Sequence, residues 1–355
     1  MPLIQRPSPA ALTPLRPWVG LALGATLLGL FVLDIALGSV AIPPAEVLSI
    51  LVGNPASFPA WTGIVTQIRL PKAVTALLAG AALSVGGLQM QTLFRNPLAG
   101  PSVLGITSGA SLGVALVTLS TGSALGAYTG EALGWSGSWL LVLAATAGGG
   151  AVLLLVLWVS SRIRDSVVVL IVGLMIGNVT LSVVGIWQYF SQPEQLQNYV
   201  LWTLGSLNSV TPRHLPVLLT VVGAGIGLSF LLSKQLNALL LGENYARSLG
   251  LNIAQARGLI ILTTSVLAGA ITGFCGPIGF VGIAVPHLTR ALLNTTNHLV
   301  LVPGVMVVGA IVMLGCDIIS QVPGSQTVLP INAVTALVGS PVVIWVVLRN
   351  RKSRF

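Results

Sequence analysis

Apolar residues run through this chain in blocks of about 20, the length that crosses a bilayer's hydrocarbon core as an α-helix. Short polar or Pro/Gly-rich stretches separate the blocks. The pattern predicts ten spanning helices, over 18–38, 69–93, 102–120, 138–160, 166–190, 214–233, 257–275, 278–293, 299–320 and 331–348. The eighth block is short and carries Gly279, Gly282 and Pro286, so a broken or re-entrant helix sheltered by protein is expected there. Two connections read as ordered. Residues 43–67 carry a Pro-Pro start, Glu46 and an apolar run, predicting a short helix at the outer surface. Residues 192–215 carry Tyr199 and Trp202, which suit an interfacial anchor. The glycine-rich stretch 121–137 reads as a plain external loop. Glycines at four-residue spacing (Gly105, Gly109 and Gly113; Gly173 and Gly177; Gly269 and Gly273) are expected to let helix backbones approach closely, within the subunit or, as the alternative, at a subunit interface.

Composition strengthens the membrane reading. Only 6% of residues are charged and 54% are hydrophobic, whereas a soluble domain carries roughly 25% charged residues. The chain is therefore read as an all-α polytopic membrane protein: an N-terminal tail over 1–17, one transmembrane domain over 18–348 and a basic tail over 349–355. The first block exceeds the length of a signal-peptide core, so it is expected to remain as a helix. With ten alternating spans and both termini cytoplasmic, thirteen of the sixteen basic residues lie inside, and only Arg69, Lys72 and Arg213 lie outside. The positive-inside rule favours that orientation. The net charge of +9 is scattered and forms no basic patch with interleaved aromatics, which argues against nucleic acid as a partner. Cys275 and Cys316 sit in apolar runs and read as small buried residues.

Chemistry comes next. None of the three lysines follows a glycine, so no P-loop is present. There is no H-E-x-x-H and no G-x-S-x-G, and the three histidines lack metal-ligand spacing. An ion-coupled carrier needs a carboxylate near the bilayer centre. Asp34 and Asp317 fall near the outer ends of the first and ninth blocks, and the other acidic residues lie in connections. These features disfavour an intramembrane enzyme and an ion-coupled carrier, and point to energy supplied from outside the chain.

Five strings occur in order: RLPKAVTALLAGAALSVGGLQMQTLFRNPLAGPSVLGITSGASLGVAL from Arg69, WTLGSL from Trp202, LGENYARSLG from Leu241, GPIGFVGIAVPHLTR from Gly276 and LPINAVTALVGSP from Leu329. Together they closely resemble the FecCD-type permeases of ABC importers for ferric siderophores, haem and cobalamin. The resemblance implies the type II ABC importer permease fold in a bacterial inner membrane. It implies two ABC ATPase subunits, a second permease (the same chain or a paralogue) and a periplasmic substrate-binding protein. ATP and Mg would sit on the ATPases, with no cofactor on this chain. A ferric siderophore is the first expected ligand, with haem and cobalamin as alternatives.

The resemblance also implies roles for residues. Residues 239–255 resemble the coupling helices, with Ala246 and Gly250 at the signature positions and Glu243, Asn244 and Arg247 at the rim facing an ATPase. Arg69 and Lys72 match basic positions that dock the binding protein; a third such position is Gln321 here, and Val328 replaces a usual glutamate. Asp165 and Ser166 align with the cytoplasmic gate. Asn178, Ser182 and Gln188 on the fifth block, with Asn332 and Thr335 on the tenth, are expected to line the pathway. His287 reads as packing and Asn96-Pro97 as the turn after the second block.

Overall fold

The computed structural model describes residues 17–38, 40, 42–54, 56–119, 137–163, 165–321 and 328–351. Residues 1–16 of the expected tail over 1–17, residues 121–136 of the expected loop over 121–137, Arg164 and residues 352–355 lie outside these. The described chain is helical throughout: α1 (Pro17–Ala36), α2 (Pro44–Leu51), α3 (Pro59–Leu93), α4 (Ile106–Thr118), α5 (Gly137–Arg162), α6 (Ser166–Tyr189), α7 (Pro193–Thr203), α8 (Leu215–Leu231), α9 (Ser233–Leu240), α10 (Glu243–Ser248), α11 (Ile253–Cys275), α12 (Val281–Leu293), α13 (His298–Ser320) and α14 (Ile331–Arg351).

Each of the ten apolar blocks is a helix. Among the described residues six are long and apolar enough to cross a membrane (α1, α3, α5, α6, α11 and α13), and α8 with α9 forms a seventh, bent by 50°. The blocks behind α4, α12 and α14 form shorter apolar helices. The second block begins ten residues earlier than expected, because α3 continues back to Pro59 through a π-helical turn over Ile64–Arg69. The expected surface helix is α2, and the expected anchor is α7, whose Tyr199 is buried rather than interfacial.

α3 is the central post: 83% of its most apolar stretch is buried, against 28% for α5 and α6. Glycine makes this density possible. A Cβ on Gly80 would lie 2.1 Å from the Gly309 carbonyl oxygen of α13, and one on Gly87 1.7 Å from that of Gly282 in α12. α4 and α5 meet the same way, through Gly109, Gly113 and Gly148. The stripes at Gly105–Gly113 and Gly173–Gly177 therefore serve packing within the subunit, as expected; Gly269 faces open space. In lipid, where apolar surfaces gain little by leaving their solvent, such close backbone contact is a main source of helix association.

α6 is the contrast. Ile171, Leu174, Met175, Val179 and Ile186 are exposed along it, so a broad apolar face has no partner among the described residues.

Candidate coupling and gating site

The stretch after α9 forms a compact knob. Gly242 adopts φ +115° and turns the chain into α10, and its carbonyl accepts the Ala246 N–H at 2.8 Å. α10 ends in a Schellman motif: Leu251 N donates to the Ala246 carbonyl at 3.1 Å and Gly250 N to Arg247 at 3.0 Å. Gly250 sits at φ +82°, where a residue with a Cβ is strained. Asn252 then caps α11, its side chain accepting from Gln255 N at 3.2 Å. The knob is thus set by local chain chemistry.

Ala246 is fully buried against the bundle, whereas Leu241, Asn244, Tyr245, Arg247, Leu249 and Gly250 are exposed. An apolar cluster with polar neighbours is the composition of a protein-docking patch.

Glu243 does not sit at that rim. Its carboxylate turns inward and accepts the Ser166 hydroxyl at 2.5 Å. It also pairs with Arg257 of α11 at 3.4 Å. Arg257 in turn donates to the Ile163 carbonyl at 2.8 Å, in the connection between α5 and α6. One carboxylate therefore joins the knob, the first residue of α6 and the first turn of α11. Of the three residues expected at the rim, Glu243 is engaged in this junction, while Asn244 and Arg247 are exposed. Of the two expected gate residues, Ser166 is buried in this junction. Asp165 caps α6 through its Oδ1, which accepts Val167 N at 2.7 Å. In sequence Arg257 bears on topology alone; a basic residue near the start of an apolar helix is the available signal.

At the opposite end of the bundle, Arg69 and Lys72 point into the protein. Arg69 donates to the carbonyls of Ile35 and Ala36, each at 2.8 Å, and to that of Val40, closing the C-terminus of α1. Lys72 pairs with Asp317 at 2.7 Å and lies 3.8 Å from Asp34. Gln321 donates to Asp34 at 2.8 Å and to Asp317 at 3.3 Å. All five side chains are buried. Arg69 and Lys72, expected to dock a binding protein, are buried here and held by a helix end and by two buried carboxyl groups respectively.

The expected pathway residues divide. Asn178 and Ser182 share the exposed side of α6, with Ser182 Oγ bonded back to the Asn178 carbonyl at 2.9 Å; Gln188 is half-buried. Thr335 is buried and donates to the Asn332 carbonyl, and Asn332 Oδ1 accepts Gly279 N at 3.0 Å, holding the strand of chain before α12. Both are engaged in helix packing here. His287 meets the Pro97 carbonyl at 2.8 Å and Asn96 Oδ1 accepts Leu98 N at 2.9 Å, the packing and turn roles expected of them. Among the described residues no group of three His, Cys, Asp or Glu could hold a metal ion.

Comparison with known proteins gives consistent matches. Residues 26–349 match the FecCD transport family. The vitamin B12 import system permease protein BtuC of Klebsiella pneumoniae is 36% identical over 339 residues, covering 95% of each chain. The protein of the same name from Salmonella typhi is 35% identical over 289 residues, covering 81% of this chain and 84% of that one. A solved inward-facing conformation of a metal-chelate type ABC transporter superposes with TM-score 0.80 at 29% identity, covering 94% of this chain and 99% of that one.

Proposed function

This chain belongs to the FecCD transport family and is a permease subunit of an ABC importer, a non-catalytic role; from that premise we propose that it forms half of the path for a large metal chelate across a bacterial inner membrane. The other half is a second permease subunit, and the exposed apolar face of α6, with Asn178 and Ser182, is the surface offered to that subunit and to the path. Both termini and the α9–α10 knob lie on the cytoplasmic side, where the knob docks one of two ABC ATPases. A periplasmic binding protein delivers the ligand.

Among chelates, cobalamin is the first candidate, carried by identity to vitamin B12 permeases over nearly the whole chain. A ferric siderophore is the second reading, favoured by the likeness to a metal-chelate transporter. The test is uptake into proteoliposomes holding the permease, its ATPase and its binding protein. Labelled cobalamin, a ferric siderophore and haem are compared with ATP inside. Accumulation of cobalamin alone supports the first reading, and accumulation of only the siderophore replaces it with the second.

In mechanism, the Glu243 junction is the mechanical link. ATP-driven movement of the knob is passed to Ser166 and the α5–α6 connection through hydrogen bonds to one carboxylate, so the gate moves with the docked ATPase.

A further inference from the structure

A second site lies at the same end of the bundle. A cavity of about 470 Å³ opens between the end of α3, the end of α12, the start of α13 and α9. Gln91, Arg95, Leu240, Arg290, Thr296 and His298 are among its lining residues. Two guanidinium groups reach it, and each is held by neutral oxygens: Arg290 donates to Gln91 Oε1 at 2.7 Å, and Arg95 to the Leu239 carbonyl at 3.4 Å. Among the described residues the carboxylate ion pairs belong to Lys72 and Arg257, and no carboxylate lies within 4 Å of Arg95 or Arg290. His298 has both ring nitrogens engaged, with Asn237 Oδ1 and Thr92 Oγ1 at 2.9 Å each, so the arginines supply the positive charge.

The arginines are also held in place. Gln91 Nε2 donates to the Ile283 carbonyl at 3.0 Å while its Oε1 receives Arg290, which fixes that guanidinium between α3 and α12. Arg95 takes φ +49° and lies against Gly242, where a Cβ would fall 2.6 Å from its guanidinium. Two guanidiniums that line one cavity, with no carboxylate partner among the described residues, suit the oxygens of a phosphate group.

We propose that this cavity binds a phosphate ester, the headgroup of an anionic phospholipid of the cytoplasmic leaflet. Basic pockets between helices on that side are where such headgroups are held. Leu98, Leu240, Leu292 and Leu299, adjoining or lining the cavity in sequence, are exposed and offer an apolar surround that suits acyl chains and that a free phosphate does not need. The site is independent of which chelate is carried.

The test uses the full chain, delipidated in detergent and reconstituted with defined lipids. Phosphatidylglycerol retained after washing is measured by mass spectrometry, against phosphatidylcholine, for wild type and for Arg95→Gln and Arg290→Gln. Arg95 is exposed, so its variant folds even where that of the more buried Arg290 does not. Wild type is expected to prefer phosphatidylglycerol at least fivefold, and Arg95→Gln to lose most of that preference. Displacement of the lipid by millimolar inorganic phosphate supports a phosphate site but makes free phosphate the competing source. Equal retention of the two lipids by wild type, or an unchanged preference in Arg95→Gln, overturns the proposal. So does complete release of the lipid when the ATPase binds, which would give the pocket to an acidic side chain of that partner.

Discussion

The Ser166 hydroxyl donates to the Glu243 carboxylate at 2.5 Å across 77 residues of sequence, and ties the first turn of α6 to the knob between α9 and α11. Arg257, on the same carboxylate, closes the triangle. Rigid knobs and rigid helices transmit displacement only where they are fastened, and on the proposed function this junction is such a fastening.

Removing it is expected to uncouple rather than to inactivate. Hydrogen bonds to a charged group contribute about 1.5–3 kcal/mol, so Glu243→Gln or Ser166→Ala is expected to lower transport by roughly tenfold, equivalent to about 1.4 kcal/mol. ATP hydrolysis by the assembled complex stays near its wild-type rate. Measuring ATP consumed per ligand imported checks this; a parallel fall in both quantities would assign the junction to assembly alone.

Gly250 faces open space, so a substitution there meets no neighbour and acts through the backbone. At φ +82° a β-branched residue costs about 1–2 kcal/mol, whereas asparagine tolerates left-handed geometry. Gly250→Val is expected to weaken ATPase association several-fold while Gly250→Asn keeps most of it. Co-purification of the ATPase with each variant reads the difference.

Lys72 pairs with Asp317 and lies beside Asp34, and both carboxyl groups are buried. Deleting one partner of a buried ion pair costs about 3–5 kcal/mol because charge is left without compensation. Lys72→Met is expected to lower the thermal unfolding midpoint strongly in detergent. Adding Asp34→Asn and Asp317→Asn to it restores much of the loss, since the stranded charges are then gone.

Glu46 supplies a pH dependence at the outer surface. It accepts hydrogen bonds from the Ser57 hydroxyl and from Ser57 N at 3.2 Å, and these hold its carboxyl below the ordinary value of 4.5, the hydroxyl contributing most. A carboxyl lowered on folding stabilises the folded form above that ordinary value and loses the effect as pH falls through its lower folded value. Hydrogen exchange over 44–57, corrected for intrinsic rates, is expected to show protection falling below about pH 4. Glu46→Gln removes that dependence.

Much of the architecture was legible in one dimension. A run of about 20 apolar residues has few ways to satisfy its backbone in lipid other than as a helix, so all ten blocks lie on helices, although three of these are shorter than a span and one is bent. The stops are local as well, since Gly242 and Gly250 bracket α10 with positive φ and Asp165 caps α6, although in sequence Gly250 and Asp165 carried only coupling and gating expectations. Partnership was not. Arg69 and Lys72 carried the right charge on the right side, yet nothing local distinguishes a basic residue offered to another protein from one buried against its own carboxylates. The distinction rests on Asp34 and Gln321, 287 residues apart, meeting where α1 and α13 pack on the central post. Glu243 likewise looked like a surface contact until α11 brought Arg257 beneath it. Local sequence determined which segments are helices and where they end, because hydrophobic length and backbone conformation are local quantities. Tertiary structure alone decided which charges are spent inside the protein, because burial and pairing depend on which helix faces meet.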